Sequence, residues 1–207
     1  LTNTTAAPIN VIYAITLTAN GCPNTQNVTV VVNPTPVLNN TASWVSPICS
    51  GGTVAYTPTS ATTGTGISWS RAAVTGITPA SNSGVGAINE TLNSSNGTAT
   101  VVTYRFTLTA NGCSYTQDLQ VTVNPKPQMT SAASTSTCSG SSVGLTLTAT
   151  VAANFSWIAD SDNPDVTGES LTAQTASTLT DVLINNSTSV QVVYYQVTPT
   201  ATVGNCA

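Results

Sequence analysis

With no histidine and a single lysine, the chain is left with seven carboxylates and five cysteines as the side chains that could do chemistry. Ser-His-Asp and Cys-His relays are ruled out at once, because both need an imidazole to carry the proton. Lys126 sits between Pro125 and Pro127, a poor position from which to activate a serine. Carboxylates remain. One group of them is dense enough to consider: Asp160, Asp162 and Asp165, with Glu169 just beyond. Asp160-Ser161-Asp162-Asn163-Pro164-Asp165 gathers oxygen donors on one short stretch, as calcium loops do. It lacks the glycine and the spacing of an EF-hand loop, so a solvated turn is the simpler reading and a glycosidase pair the weakest. The expectation is a protein without catalytic residues and without a cofactor, with calcium at Asp160, Asp162 and Asp165 as the one metal alternative.

The five cysteines are spaced tens of residues apart, unlike the clustered Cys and His ligands of zinc sites. Disulfides in an oxidising, extracytoplasmic setting account for them better. Where they can pair depends on the elements that carry them, and those elements recur. Tyr104 leads through Thr107-Leu108-Thr109-Ala110-Asn111-Gly112-Cys113 to Val121-Thr122-Val123-Asn124-Pro125-Lys126-Pro127. Tyr13 leads through Thr16-Leu17-Thr18-Ala19-Asn20-Gly21-Cys22 to Val30-Val31-Val32-Asn33-Pro34-Thr35-Pro36, a constant 91 residues earlier. A looser copy begins at Tyr195-Gln196-Val197-Thr198 and runs to Cys206. A fixed period of this size is the signature of a tandem array.

Each copy reads as a β-hairpin. Apolar and polar residues alternate, and Asn-Gly tolerates the positive φ that a two-residue turn requires. The Pro-x-Pro links fix φ and remove amide donors, so they mark stiff boundaries. The chain therefore divides into 1–33, the closing hairpin of a truncated repeat; 34–125, a complete repeat; and 126–207, a repeat lacking its last strand. Further strands are expected at 53–57 and 67–70, with weaker segments around Ile77 and over 88–92, before the hairpin of 102–109 and 119–123. Many short alternating strands without a helical period indicate tandem antiparallel β-sandwiches of the immunoglobulin type, stacked end to end. Trp69 and Trp157 fall on the third strand and Tyr104 and Tyr195 on the penultimate one, as core residues. Trp44 lies outside that pattern and is the aromatic expected to be exposed or to lie between domains.

In each full repeat one cysteine precedes the second strand (Cys49, Cys138) and one follows the penultimate strand (Cys113, Cys206). The obvious bonds are Cys49 to Cys113 and Cys138 to Cys206. Sandwich topology objects, because the second and penultimate strands run the same way and place those cysteines at opposite poles. A seven-residue strand spans ~23 Å, whereas bridged Cα atoms must lie within ~7 Å. Stacked domains favour an inter-domain bond, Cys49 to Cys206, with Cys22, Cys113 and Cys138 pairing outside this stretch. The within-repeat pairs remain the alternative.

Cys49-Ser50-Gly51 before a strand, the Thr107–Cys113 turn and Val121–Pro127, with their copies, resemble the PKD-like and immunoglobulin-like repeats of giant surface proteins of Bacteroidota. These include gliding-type adhesins exported by the type IX system. The resemblance spans the chain and implies an exported, surface-anchored rod; it transfers no binding residue. Pro199 in place of Leu108, and the longer turn at Thr202-Val203, depart from the pattern. Composition agrees with an extracellular role. Only 5% of residues are charged, against roughly 25% in ordinary soluble proteins, and a net charge of −4 offers no footprint for nucleic acid or anionic lipid. No apolar run is long enough for a spanning helix, and the Pro-x-Pro breaks disfavour a membrane barrel. The function expected is a stalk or filament segment of a surface adhesin, its partners the neighbouring repeats and like filaments. The alternatives are a glycan- or cell-binding module and accessory repeats of a secreted hydrolase.

Overall fold

A computed structural model describes residues 1–39, 46–160 and 163–207, and every regular element in them is a β-strand. Trp44 and Asp162 lie outside the described residues. The first hairpin joins β1 (Ile9–Ala19) to β2 (Cys22–Val32), with Tyr13 opposite Val28 and Ala19 opposite Cys22. Asn20 and Gly21 take φ values of 51° and 80°. Positive φ at both central residues is the turn whose twist matches that of the paired strands. Ile12, Ile15 and Leu17 stay exposed, so this hairpin is an extended ribbon without a core of its own.

The next eight strands are β3 (Ile48–Cys49), β4 (Gly52–Tyr56), β5 (Gly66–Arg71), β6 (Ile77–Thr78), β7 (Asn82–Val85), β8 (Ile88–Ser94), β9 (Thr100–Ala110) and β10 (Cys113–Asn124). They form two sheets, ordered β3-β10-β9-β5-β7 and β4-β8-β6. Val54 of β4, Leu92 of β8 and Val102, Tyr104, Phe106 and Leu108 of β9 are fully buried, while the residues between them are more exposed. That alternation is the period-2 pattern of strands with one face on a core. The weak segment over 88–92 is a full strand. Its apolar alternation, Ile88 and Leu92, is interrupted by Glu90, and all three are buried. Two short strands, β3 and β7, were not expected, and β7 owes its place to Gly84. Gly84 pairs with Trp69, and a Cβ there would come within 2.8 Å of the indole ring.

The last part of the chain holds β11 (Ser141–Ser142), β12 (Leu145–Thr146), β13 (Ala153–Ala159), β14 (Val166–Thr167), β15 (Thr178–Leu179), β16 (Val182–Asn185) and β17 (Tyr195–Ala201). Leu147, Phe155, Trp157 and Leu179 form its core, with Tyr195 and Val197 packed at the margin. Among the described residues β17 pairs with β13 alone, Tyr195 opposite Ala159 and Pro199 opposite Phe155. Proline cannot donate to a ladder and is tolerated where only one edge of a strand is engaged. The chain clusters into two compact units: Leu1–Ser46 with Thr53–Leu92 and Val101–Val121, and Pro47–Gly52 with Asn93–Thr100 and Thr122–Ala207.

Gly84→Ala should destabilise the protein by about 1–3 kcal/mol, since the added methyl must displace the Trp69 ring or the β7 backbone. Urea denaturation followed by tryptophan fluorescence measures this, and an unchanged midpoint would show that the ring has room to move.

Candidate functional site

Cysteine placement begins with a two-residue parallel ladder: Ile48 lies opposite Val123 and Cys49 opposite Asn124. The Ser50 amide extends it, donating to the Asn124 carbonyl at 2.8 Å. Cys49 is thereby held at the far end of β10, whose other end is Cys113. At about 3.3 Å per residue, the eleven steps between Cys113 and Asn124 span roughly 36 Å. The within-repeat bond from Cys49 to Cys113 is therefore not the one made. Cys49 is bonded to Cys206 instead, with Cα atoms 5.6 Å apart, inside the window that a disulfide can bridge. Both belong to the second compact unit. The other within-repeat alternative, Cys138 to Cys206, is likewise not formed, and Cys22, Cys113 and Cys138 are thiols. Cys206 is buried, and its carbonyl accepts the Ala201 amide at 2.7 Å, which closes the turn after β17.

The aromatic residues singled out from the sequence occupy matching positions. Trp69 meets Tyr104 edge-on with centroids 5.6 Å apart, and Trp157 meets Tyr195 at 5.7 Å. Trp69, Trp157 and Tyr104 are buried and Tyr195 is half-buried. Each tyrosine hydroxyl ends on a carboxylate that the sequence reading passed over. Tyr104 donates to Glu90 Oε2 at 2.5 Å and Tyr195 to Asp181 Oδ2 at 2.8 Å. Glu90 and Asp181 are themselves 91 residues apart, as the tyrosines are, and that shared offset in a chain with so few acids was the available signal.

Around Glu90 the network is charged. Arg71 Nε donates to Oε2 at 3.0 Å and its Nη2 to Oε1 at 2.7 Å, while Asn82 Nδ2 reaches Oε1 at 3.0 Å. Burial pushes the Glu90 carboxyl up, but the hydrogen bonds from Arg71, Tyr104 and Asn82, with the Arg71 charge, outweigh it and hold the group below its ordinary value. Burial, together with the hydrogen bond to Glu90 and its charge, pushes the Tyr104 phenol well up, so it serves as a donor. Asp181 has no arginine. Its oxygens take the Ser170 amide and hydroxyl, each at 2.7 Å, besides Tyr195. These are satisfied structural networks, with every carboxylate oxygen engaged.

Of the acidic stretch, Asp160, Asp165 and Glu169 are among the described residues. Asp160 and Asp165 are exposed. The Asp165 amide bonds Asn163 Oδ1 at 3.1 Å, and Glu169 Oε1 accepts the Asn163 amide at 3.3 Å. Among the described residues no group of three or more histidine, cysteine or acidic side chains gathers, and Asp162 lies outside them. An open cleft of about 820 Å³ lies in the second unit, lined by Leu145, Leu147, Leu179, Val193, Tyr195 and Val197, with Tyr194 on its border. Its rim carries the Cys138 thiol beside Ser136, Thr137 and Ser139.

Glu90→Gln should cost about 3–5 kcal/mol, the usual penalty for leaving a buried charge, here Arg71, without its partner. Because the Glu90 carboxyl is held below its ordinary value, the stability it confers is present above about pH 4.5 and is lost as pH falls through its folded value. Unfolding titrations across the acid range should show a smaller acid loss in the variant. Cys49→Ser removes a closure spanning 157 residues, worth up to about 5 kcal/mol by chain entropy. The guanidinium midpoint should drop in the variant and no longer respond to reductant, whereas the native chain should respond.

A search among curated proteins finds no match. The sequence pattern of the PKD-like domain matches residues 46–127 and again 135–207. The two matched stretches make up most of the chain, and each carries one tryptophan–tyrosine–carboxylate set. The chain therefore belongs to the PKD-like domain family, with two such domains in tandem.

Proposed function

We propose that the chain is a non-catalytic stalk segment of a large extracellular surface protein, spacing a distal binding region from the cell. The observation that carries this reading is the disulfide that runs from one PKD-like repeat to the next, Cys49 to Cys206. A bond of that kind serves a chain whose repeats must stay in register with one another. The chemistry-bearing groups fit the same role: Glu90, Arg71 and Tyr104 are buried in a mutually satisfied network. No described helix is long and apolar enough to cross a membrane. The sparse charge makes such a segment nearly indifferent to salt and poor in tryptic sites. Resemblance to Bacteroidota adhesins exported by the type IX system gives the most specific form of this reading, with neighbouring repeats and like filaments as partners. No metal or cofactor enters it.

One observation favours a second reading, a glycan- or cell-binding module: Tyr194, 71% exposed, borders the apolar cleft. Deleting residues 34–124, one full period, from the full-length protein separates the two. On the stalk reading binding persists while the reach shortens by roughly 40 Å, about the length of a twelve-residue strand. Reach is measured by negative-stain microscopy and binding by attachment to the natural target. Loss of binding on deletion, or binding of the isolated chain to cells or a glycan array, would overturn it.

A further inference from the structure

The five cysteines fall into two classes, and the structure bonds one member of each. Cys49 and Cys138 share the context Cys-Ser-Gly; Cys22, Cys113 and Cys206 each follow a turn that contains adjacent Asn and Gly residues. In the bonded pair the first class is delivered by β3, which lies along the outer edge of β10 with Cys49 opposite Asn124. The same Asn124 side chain lies so close to the turn before Cys206 that a Cβ on Gly204 would collide with it. Three features thus meet at the Asn124 junction: a Pro-linked asparagine, a turn carrying a second-class cysteine, and an edge strand carrying a first-class one.

Two of the three recur one period earlier. Asn33 is the counterpart of Asn124, and its Nδ2 donates to the carbonyl of Asn111 at 2.8 Å, in the turn that precedes Cys113. Cys113 there is a half-buried thiol. What differs is the edge. β1 and β2 make a two-stranded sheet, so among the described residues the side of β2 that corresponds to the β3 side of β10 carries no strand. Val32 and Asn33, the counterparts of Val123 and Asn124, are half-buried there.

We propose that Cys113 is the disulfide anchor for a first-class cysteine on a short strand that pairs parallel with Val32–Asn33. The partner is a segment of the Ile48-Cys49-Ser50-Gly51 kind from an adjoining repeat of the same family. Cys138 is the opposite half of the same device, exposed as a thiol and awaiting the turn cysteine of another repeat. The staples then form a ladder in which each bond skips from one repeat's edge strand to the next repeat's turn, as Cys49 to Cys206 does across 157 residues. This deepens the stalk reading, since the covalent link becomes a property of every junction. With a small-molecule disulfide such as oxidised glutathione as oxidant, one cysteine thiolate displaces a glutathione thiol to give a mixed disulfide. The second cysteine displaces the other. Two cysteine thiols are oxidised and one glutathione disulfide is reduced to two thiols.

The test adds a copy of residues 34–91 ahead of Leu1. Leu1 is the counterpart of Leu92, so the added stretch supplies the preceding part of one period and places a copy of Cys49 there. After oxidation in a glutathione buffer, non-reducing peptide mapping should find the added cysteine bonded to Cys113. Cys49–Cys206 should be intact, and Cys22 and Cys138 open to alkylation. A bond from the added cysteine to Cys22, in its own repeat, or a free added cysteine in folded protein, overturns the proposal. Should the longer chain fail to fold, the chain of residues 1–207 is treated with a peptide copy of residues 46–53 carried as its glutathione mixed disulfide. The ratio of labelling at Cys113 to that at Cys22 should exceed by several-fold the ratio seen with oxidised glutathione itself. Equal ratios overturn the proposal, because Cys113 then offers the peptide no docking edge. Either failure leaves the stalk reading standing, since that reading is judged by deletion in the full-length protein.

Discussion

The short parallel pairing of Ile48–Cys49 with Val123–Asn124 decides where a sulfur can go, and much of the rest follows from it. A strand of two residues contributes little by itself, and its hydrogen bonds add on the order of 1 kcal/mol each at most. Its importance is positional. By lying at the end of β10 next to the Asn-Pro link, it takes Cys49 out of reach of the cysteine in its own repeat and brings it to Cys206. The disulfide then restrains everything between, a closure of 157 residues that includes both hydrophobic cores. Small sandwiches have modest cores, so a restraint on the unfolded chain is a large share of what keeps them folded.

A second constraint works inside each repeat. Burying a carboxylate costs several kcal/mol unless its oxygens are met by donors, and both repeats bury one in the same place. Tyrosine is the donor they share, from β9 to Glu90 and from β17 to Asp181. The remaining donors differ: Arg71 and Asn82 in one repeat, the Ser170 amide and hydroxyl in the other. The carboxylate and tyrosine are thus the fixed part, and the cation is optional. Such a pair discriminates between strand registers, because a slip of one residue turns the tyrosine to the opposite face and leaves the acid unmet.

The repeat itself was legible because period-2 alternation and Asn-Gly turns are local signals. Tyr104 through Val123 reads as a hairpin from residue types alone, and the turn φ values of Asn111 and Gly112, 49° and 78°, are those the sequence requires. The Cys49–Cys206 bond was favoured by strand direction, a topological argument that needs no coordinates. β3 and β7 were not legible. Each is short, and each exists because a neighbour offers an edge: β10 to Ile48–Cys49, and β5 to Asn82–Val85, where Gly84 clears space for Trp69. Glu90 was missed for a related reason. It shares the parity of Ile88 and Leu92, so the alternation itself turns it inward. An acid on that face breaks the apolar pattern and makes the strand look weak, and its partner Arg71 is distant in sequence.

The junction geometry is kept by backbone conformation more than by residue order. The turn that meets Asn33 runs Asn111-Gly112, while the turn that meets Asn124 runs Gly204-Asn205 after two extra residues. Yet φ is positive at all four, 49° and 78° in one turn and 77° and 52° in the other. Glycine adopts that region freely and asparagine is among the side chains that tolerate it, so either can hold a positive-φ position in the turn. The contact at the junction changes in kind while its site is preserved. Asn33 donates to a turn carbonyl, whereas Asn124 packs against a residue that must lack a Cβ. An array of repeats needs each turn to present its cysteine at the same place relative to the preceding link. Two residue types interchangeable at positive φ meet that need while the sequence drifts.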